Sequence, residues 1–128
     1  MCNSVKTGSN SCQPCSIGIL VDIDTNKNNL TELAVSKFIC TFSISCKNNV
    51  EFMEYSNEII FFILANKTDY FLSELSKKSK TYINFVYEQL SSPLNDYDLY
   101  ILEQKIKDSK SGTVELRNKM VEALLRAK

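Results

Sequence analysis

The sequence has 128 residues, equal numbers of acidic and basic side chains, 15 of each, and no histidine. A chain of this length forms one domain and can bury a core of its own. Zero net charge excludes a global electrostatic field that would draw the protein to nucleic acid or to an anionic membrane. Because histidine is the commonest general base, its absence excludes serine–histidine and cysteine–histidine catalysis. We therefore expect no enzyme, no cofactor and no nucleic-acid partner.

The beginning of the chain is polar and rich in Ser, Asn and Gly. Residues 1–14 are expected to form a flexible arm in front of a single domain over residues 15–128. The arm lacks the apolar stretch of a secretory signal, and no apolar run reaches the roughly 18 residues of a membrane span. Both observations favour a cytoplasmic protein whose five cysteines are thiols. One alternative stays open, because a lipoprotein expressed without its signal would also begin with Met1 and Cys2.

Alternating apolar residues predict strands in the first third of the chain. Residues 16–24 show the clearest alternation, with one face formed by Ile17, Ile19, Val21 and Ile23. A polar turn follows, and then a short helical turn is expected near 30–36. Residues 37–46 alternate again and contain many β-branched and aromatic side chains, so they are predicted to form a second strand.

The central stretch, residues 50–65, is the most apolar part of the sequence, and the remaining elements are expected to pack on it. With a period of two residues it forms a hairpin, strands 49–55 and 58–65, that turns at Ser56-Asn57. With a period of 3.6 residues it also forms a helical stripe, so an all-α bundle is the alternative. A short run rich in Ile and Phe favours strands. The predicted fold class is α+β, an antiparallel meander of about four strands followed by two or three helices packed on the sheet.

Helical spacing governs the second half of the chain. Residues 68–90 are predicted to form one long helix. Asn95 is expected to cap a second helix over 96–108, and a third follows over 114–127. Aromatic residues outside the apolar stripe of the first helix suggest a partner's footprint, namely Tyr70, Phe85 and Tyr87. The alternative is that the third helix packs across these aromatic residues and closes the core.

Cys12-Gln-Pro-Cys15 has the spacing of half a zinc site. Without histidine, its other ligands would be Cys2, Cys40, Cys46 or a carboxylate, and no second pair with the same spacing exists. As a redox pair it lacks the strand-to-helix setting that activates the first thiol. Cys40 and Cys46 lie on one predicted strand, about 20 Å apart, and cannot bridge each other. We assign no metal to these cysteines.

Asp22-Ile-Asp24-Thr25 stands at the end of the first predicted strand, where two carboxylates could hold Mg²⁺. The motif resembles the nucleophile motif of haloacid dehalogenase-like phosphatases, which implies a small Mg-dependent phosphotransfer enzyme as one alternative. It also imitates the start of a calcium loop, but Lys27 stands where glycine is needed. Carboxylates followed by asparagine most often form turns. We therefore assign neither a catalytic nor a metal-binding role to Asp22 and Asp24.

Across residues 50–107, the order of predicted elements resembles the longin (SNARE-like) family of trafficking subunits, which includes small adaptor chains and core subunits of TRAPP tethering complexes. The resemblance rests on VEFMEYSNEIIFFILANKTDYF and LSKKSKTYINFVYEQLSSPLNDYDLYILEQKI, in particular on Tyr82, Phe85, Val86, Pro93 and Leu94. It implies a non-catalytic subunit of a trafficking or tethering assembly, which contacts other protein subunits through helices and a sheet edge. The further alternative is an immunity- or chaperone-like binding protein built as a helical bundle.

Overall fold

The computed structural model describes residues 12–128, and every regular element in this part of the chain is a helix. It contains seven α-helices: α1 Ile17–Thr25, α2 Glu32–Ile39, α3 Val50–Asn66, α4 Thr68–Ser76, α5 Lys80–Ser91, α6 Leu99–Asp108 and α7 Val114–Ala127. Two short 3₁₀ turns, Lys27–Asn29 and Ile44–Cys46, lie in the links on either side of α2. Since residues 12–128 include no strand, the predicted α+β meander and the longin-like architecture built on it are wrong, and the all-α bundle is confirmed.

The central stretch forms the 17-residue helix α3 rather than a hairpin. Asn49 caps it, because its side-chain oxygen accepts a hydrogen bond of 3.0 Å from the amide of Phe52. Helix α3 contacts α1, α4, α5 and α6. Its buried residues cover a little more than half of its circumference: Phe52, Ser56, Asn57, Ile59, Ile60, Phe61, Ile63 and Leu64. Because the run from Ile59 to Ala65 is apolar throughout, it fits both a period of two and a period of 3.6 residues, which is why the hairpin prediction failed.

The alternation in residues 16–24 is also misleading, because this segment forms α1. Ser16 caps the helix by accepting a 3.2 Å hydrogen bond from the amide of Ile19. The residues that α1 buries are Leu20 and Ile23, which the strand interpretation placed on opposite faces. The second predicted strand, 37–46, is likewise wrong, since its first residues complete α2 and its last residues form a 3₁₀ turn.

The second half of the chain follows the helical prediction more closely. Helix α7 spans Val114–Ala127, as predicted, and packs on α4, α5 and α6. The long helix predicted over 68–90 is instead two helices, α4 and α5, with a break after Ser76. Asp98 rather than Asn95 caps α6, by accepting a 3.1 Å hydrogen bond from the amide of Ile101.

A buried amide joins α3 to the end of α5 and to the link between α5 and α6. The side chain of Asn57 is inaccessible to solvent and donates a 2.9 Å hydrogen bond to the side-chain oxygen of Gln89. Its own oxygen accepts a 3.2 Å hydrogen bond from the amide of Leu94. Asn57, predicted as a turn residue, is therefore an internal anchor. None of the helices in residues 12–128 has the length and apolar character needed to cross a membrane.

Candidate functional site

Four cysteines fasten the segment before α1 to the link between α2 and α3. Cys12 is paired with Cys40, their Cα atoms 4.9 Å apart, and Cys15 is paired with Cys46, their Cα atoms 5.5 Å apart. We call this arrangement the cysteine clamp. The amide of Cys15 also donates a 2.9 Å hydrogen bond to the carbonyl oxygen of Thr41. The expectation that these four cysteines are thiols is therefore wrong in this structure.

The two cysteines of the Cys12-Gln-Pro-Cys15 motif form separate disulfides in the cysteine clamp, so they do not pair with each other. Within residues 12–128, no group of three or more His, Cys, Asp and Glu side chains could hold a metal ion. Of the predicted arm, residues 1–11 lie outside the described part of the chain, as does Cys2. The three described residues of the arm begin at Cys12, which the clamp ties to the helical body.

Asp22 and Asp24 do not converge on a common point. They are two positions apart on a helix, so their side chains leave α1 about 160° apart. Asp22 is exposed and lines a groove of about 500 Å³ between α1 and α2, together with Leu30, Leu33 and Lys37. Asp24 points toward α3 instead. Their placement does not form the paired carboxylate site that the phosphotransfer alternative requires.

Asp24 belongs to a pocket of about 300 Å³ between α1, α3 and the segment before α6, which we call the aromatic pocket. Its lining comprises Ile23, Asp24, Lys27, Tyr55, Glu58, Ile59, Phe62 and Tyr97. The hydroxyl of Tyr55 donates a 2.9 Å hydrogen bond to Asp24, and the Lys27 ammonium lies 3.5 Å from the same carboxylate. The Lys27 nitrogen also lies 5.2 Å from the ring centre of Phe62.

The walls of the aromatic pocket are held by the core. The ring of Tyr97 stacks on that of the buried Phe61, with centres 4.3 Å apart and planes inclined by 4°. Burial raises the pKa of the Tyr55 hydroxyl, and the hydrogen bond to Asp24 and the charges of Asp24 and Glu58 act in the same direction. Tyr55 therefore stays protonated at neutral pH and remains a hydrogen-bond donor.

A second surface feature lies on the outer side of α6 and α7. Val114 and Leu125 are 63% and 53% exposed, and with the half-buried Val121 their spacing places them on one face of α7. Tyr100, on α6, is 74% exposed and lies beneath the Lys128 ammonium, 3.9 Å from its ring centre. We call Tyr100, Val114, Val121 and Leu125 the outer stripe.

A charged pair fixes the end of α7 beside α6. Lys128 forms an ion pair with Glu103, which also binds Lys107 at 2.6 Å. Hydrogen bonds from Lys107 and Lys128 lower the pKa of the Glu103 carboxyl below its ordinary value. The carboxylate is therefore charged at neutral pH and keeps Lys128 over Tyr100.

The aromatic residues predicted as a partner's footprint are distributed differently. Phe85 is buried and stacks on Phe42 at 4.5 Å, whereas Tyr70 and Tyr87 are half-buried. Tyr87 lines a groove between α5 and α7, where burial and the charges of Glu115 and Glu122 raise its pKa. Helix α7 thus packs across α5 and closes the core, as the alternative prediction held.

Comparisons with protein-family models, with curated proteins and with solved structures find no match for this chain. They leave the sequence resemblance to longin-type trafficking subunits untested. The sequence did not predict the outer stripe, because apolar residues at helical spacing do not by themselves show which of them remain exposed. Sequence reasoning also missed the aromatic pocket, although Asp24, which it did single out, forms part of the wall.

Proposed function

We propose that the protein is a non-catalytic helical binding protein that holds an amphipathic helix of a protein partner on its outer stripe. The observation that carries this proposal is that α7 has apolar residues both on its buried face and on its exposed face. One face buries Leu116, Met120 and Leu124 in the core, while the opposite side carries the exposed Val114 and Leu125. Large apolar side chains that share one exposed face of a helix on a folded surface can mark an interaction site.

The dimensions of the outer stripe suit a helix. Val114 and Leu125 are eleven residues apart, which corresponds to about 16 Å along α7 at 1.5 Å per residue. This equals about three turns of a partner helix, whose apolar residues at every third or fourth position could contact the stripe in succession. Tyr100 at one end supplies a large, rigid contact of the kind enriched in interface centres.

Among the alternatives from the sequence, the immunity- or chaperone-like binding protein agrees best with this proposal, since it requires an all-α bundle. We do not carry forward a role in trafficking, because the resemblance behind it depended on the order of predicted strands and helices, and residues 12–128 contain no strand. A phosphotransfer reaction through Asp22 and Asp24 is not favoured either, because the two carboxylates face different pockets.

The cysteine clamp bears on where the protein works. Disulfides persist in oxidising compartments and are rare in the cytosol, where thiols are kept reduced. The pairs Cys12–Cys40 and Cys15–Cys46 therefore favour an oxidising compartment over the cytoplasmic location expected from the sequence.

Site-specific photo-crosslinking tests the proposed interface. A benzophenone side chain at Leu125 should crosslink one partner in an extract of the native source, through a segment of the partner that forms an amphipathic helix. Leu33 is the matched control, because it is also apolar and 66% exposed but lies on α2, which packs on α1 and α4. The same label at Leu33 should give no such adduct.

The variants Leu125→Glu and Val114→Glu should release the partner, and Leu33→Glu should not, with all three retaining the wild-type melting temperature. Equal crosslinking at both positions would contradict the proposal, as would retention of the partner by the outer-stripe variants. An adduct of residue 125 with a second copy of this chain would also overturn it, since the occupant would then be the protein itself.

A further inference from the structure

We propose that the aromatic pocket binds small alkylammonium groups, and that Lys27 of the chain itself occupies the place of this ligand. The inference is independent of the outer stripe, which lies on other helices. The pocket is formed by residues from three separate parts of the chain, represented by Asp24 on α1, Tyr55 on α3 and Tyr97 before α6.

The lining has the composition that a cation requires. Tyr55, Phe62 and Tyr97 contribute aromatic rings, and Asp24 and Glu58 contribute two carboxylates. The face of an aromatic ring attracts a cation electrostatically, and such rings are the usual recognition elements for quaternary ammonium groups. A neutral ligand of the same size would gain only apolar contact from this lining.

Lys27 shows where the cation would lie. Its ammonium nitrogen is 5.2 Å from the Phe62 ring centre and 3.5 Å from a carboxylate oxygen of Asp24, so one cation makes both kinds of contact. The side chain is 46% exposed and starts from the short 3₁₀ turn after α1. Because it is long and solvated, an external ammonium group can displace it at modest cost.

The charges in the pocket leave room for a second cation. Asp24 and Glu58 carry two negative charges against the single positive charge of Lys27. This excess of one carboxylate favours a cationic occupant even before Lys27 moves away.

The site is already arranged for binding. The Tyr55 hydroxyl orients Asp24, and the Asn95 amide donates hydrogen bonds to Glu58 at 3.4 Å and to the Tyr97 hydroxyl at 3.2 Å. The buried side chains of Ile23 and Ile59 form an apolar floor. A volume of about 300 Å³ is at the lower end of the range for ligand pockets, and it accommodates a trimethylammonium or a similar head group.

The test is a pair of NMR titrations of the intact protein, one with choline and one with its neutral isostere 3,3-dimethylbutan-1-ol, at constant ionic strength. Choline should shift the resonances of Ile59, Phe62 and Tyr97 in a saturable manner, with a wild-type Kd on the order of 10 mM. Lys27→Ala removes the internal competitor and should tighten choline binding about three- to tenfold. The neutral alcohol should show no saturable binding in either protein.

Three further variants distinguish binding in the aromatic pocket from general electrostatic attraction. Asp24→Asn should weaken choline binding several-fold. Asp22→Asn is the matched control, because it removes one negative charge beside the neighbouring groove, and it should leave choline binding unchanged. Phe62→Leu should also weaken choline binding, because it removes an aromatic ring but keeps the wall of the pocket apolar. Melting curves check that all variants remain folded. The proposal is overturned if Lys27→Ala fails to strengthen binding, if the alcohol binds as well as choline, or if both aspartate variants act alike.

Discussion

Gly112 is the residue on which the link between α6 and α7 depends. Its φ angle is +72°, in the left-handed region that favours glycine. A Cβ atom added there would lie 3.0 Å from the carbonyl oxygen of Leu72, which is backbone on α4 and cannot rotate away. The link therefore passes close to α4 because Gly112 has no side chain, and Thr113 can then cap α7 by accepting a hydrogen bond from the amide of Leu116.

Gly112→Ala should lower the free energy of unfolding by about 1–3 kcal/mol, because it combines an unfavourable φ with a steric conflict. Gly18→Ala is the matched control, since Gly18 lies in the first turn of α1 and an added Cβ would meet only the Ser16 hydroxyl at 3.7 Å. That substitution should raise the free energy of unfolding by about 0.5–1 kcal/mol. Urea denaturation of both variants checks the pair, and equal effects would contradict this account of Gly112.

At the scale of the elements, α7 has two roles on two faces. Its inner face supplies Leu116, Met120, Ala123 and Leu124 to the core, all buried. Its outer face carries Val114 and Leu125 of the outer stripe, which add little to stability because both side chains are largely exposed. The two roles can therefore be separated by mutation.

Deletion of residues 112–128 should abolish cooperative thermal unfolding, because it exposes the apolar surfaces of α4, α5 and α6 that α7 covers. The double variant Val114→Ser with Leu125→Ser should keep the wild-type melting temperature within a few degrees, since it alters the exposed face alone. Calorimetry distinguishes the two results. A truncated protein that still melts cooperatively would show that α7 is not part of the core.

At the scale of the whole molecule, the cysteine clamp closes two overlapping loops in the first part of the chain. The paired residues are 28 and 31 positions apart in sequence. Such links restrict the unfolded chain, and a loop of about 30 residues corresponds to about 3–4 kcal/mol on the chain-entropy account. Both α1 and α2 lie entirely inside these loops, so the clamp restricts this part of the chain in the unfolded state.

Reduction with tris(2-carboxyethyl)phosphine should therefore lower the free energy of unfolding by a few kcal/mol. The loss should be smaller than the sum of the stabilisations expected for two independent disulfides, because the two loops overlap. A variant with serine at positions 12, 15, 40 and 46 should be insensitive to the reductant. A non-reducing tryptic digest should join the peptides 7–27 and 38–47. Separate peptides and an unchanged melting curve would show free thiols and would restore the cytoplasmic prediction.

Elements whose signals are local could be predicted from the sequence. Helix α7 could be predicted to the residue because its apolar residues repeat at helical spacing and Gly112-Thr113 marks its start. The central position of residues 50–65 was also predictable, because a run from Ile59 to Ala65 that is apolar throughout must be covered. The kind of element was not, since a fully apolar run fits both periods. In α1, the alternation of apolar residues is coincidental. It led to the prediction of a strand, although Ser16 is a suitable N-cap for a helix.

Contacts between residues that are far apart in the sequence could be seen only in the tertiary structure. The pairing in the cysteine clamp could not be read from spacing, since four cysteines allow three connectivities and local sequence does not choose among them. Asp24 attracted attention as a metal ligand because Asp22 stood nearby, yet a helix turns these side chains apart and brings Asp24 against Tyr55, 31 residues away. Such contacts depend on how helices pack, and packing is determined by the shape and burial of many side chains at once. Local patterns therefore predicted single helices, and the proposed sites follow from the fold.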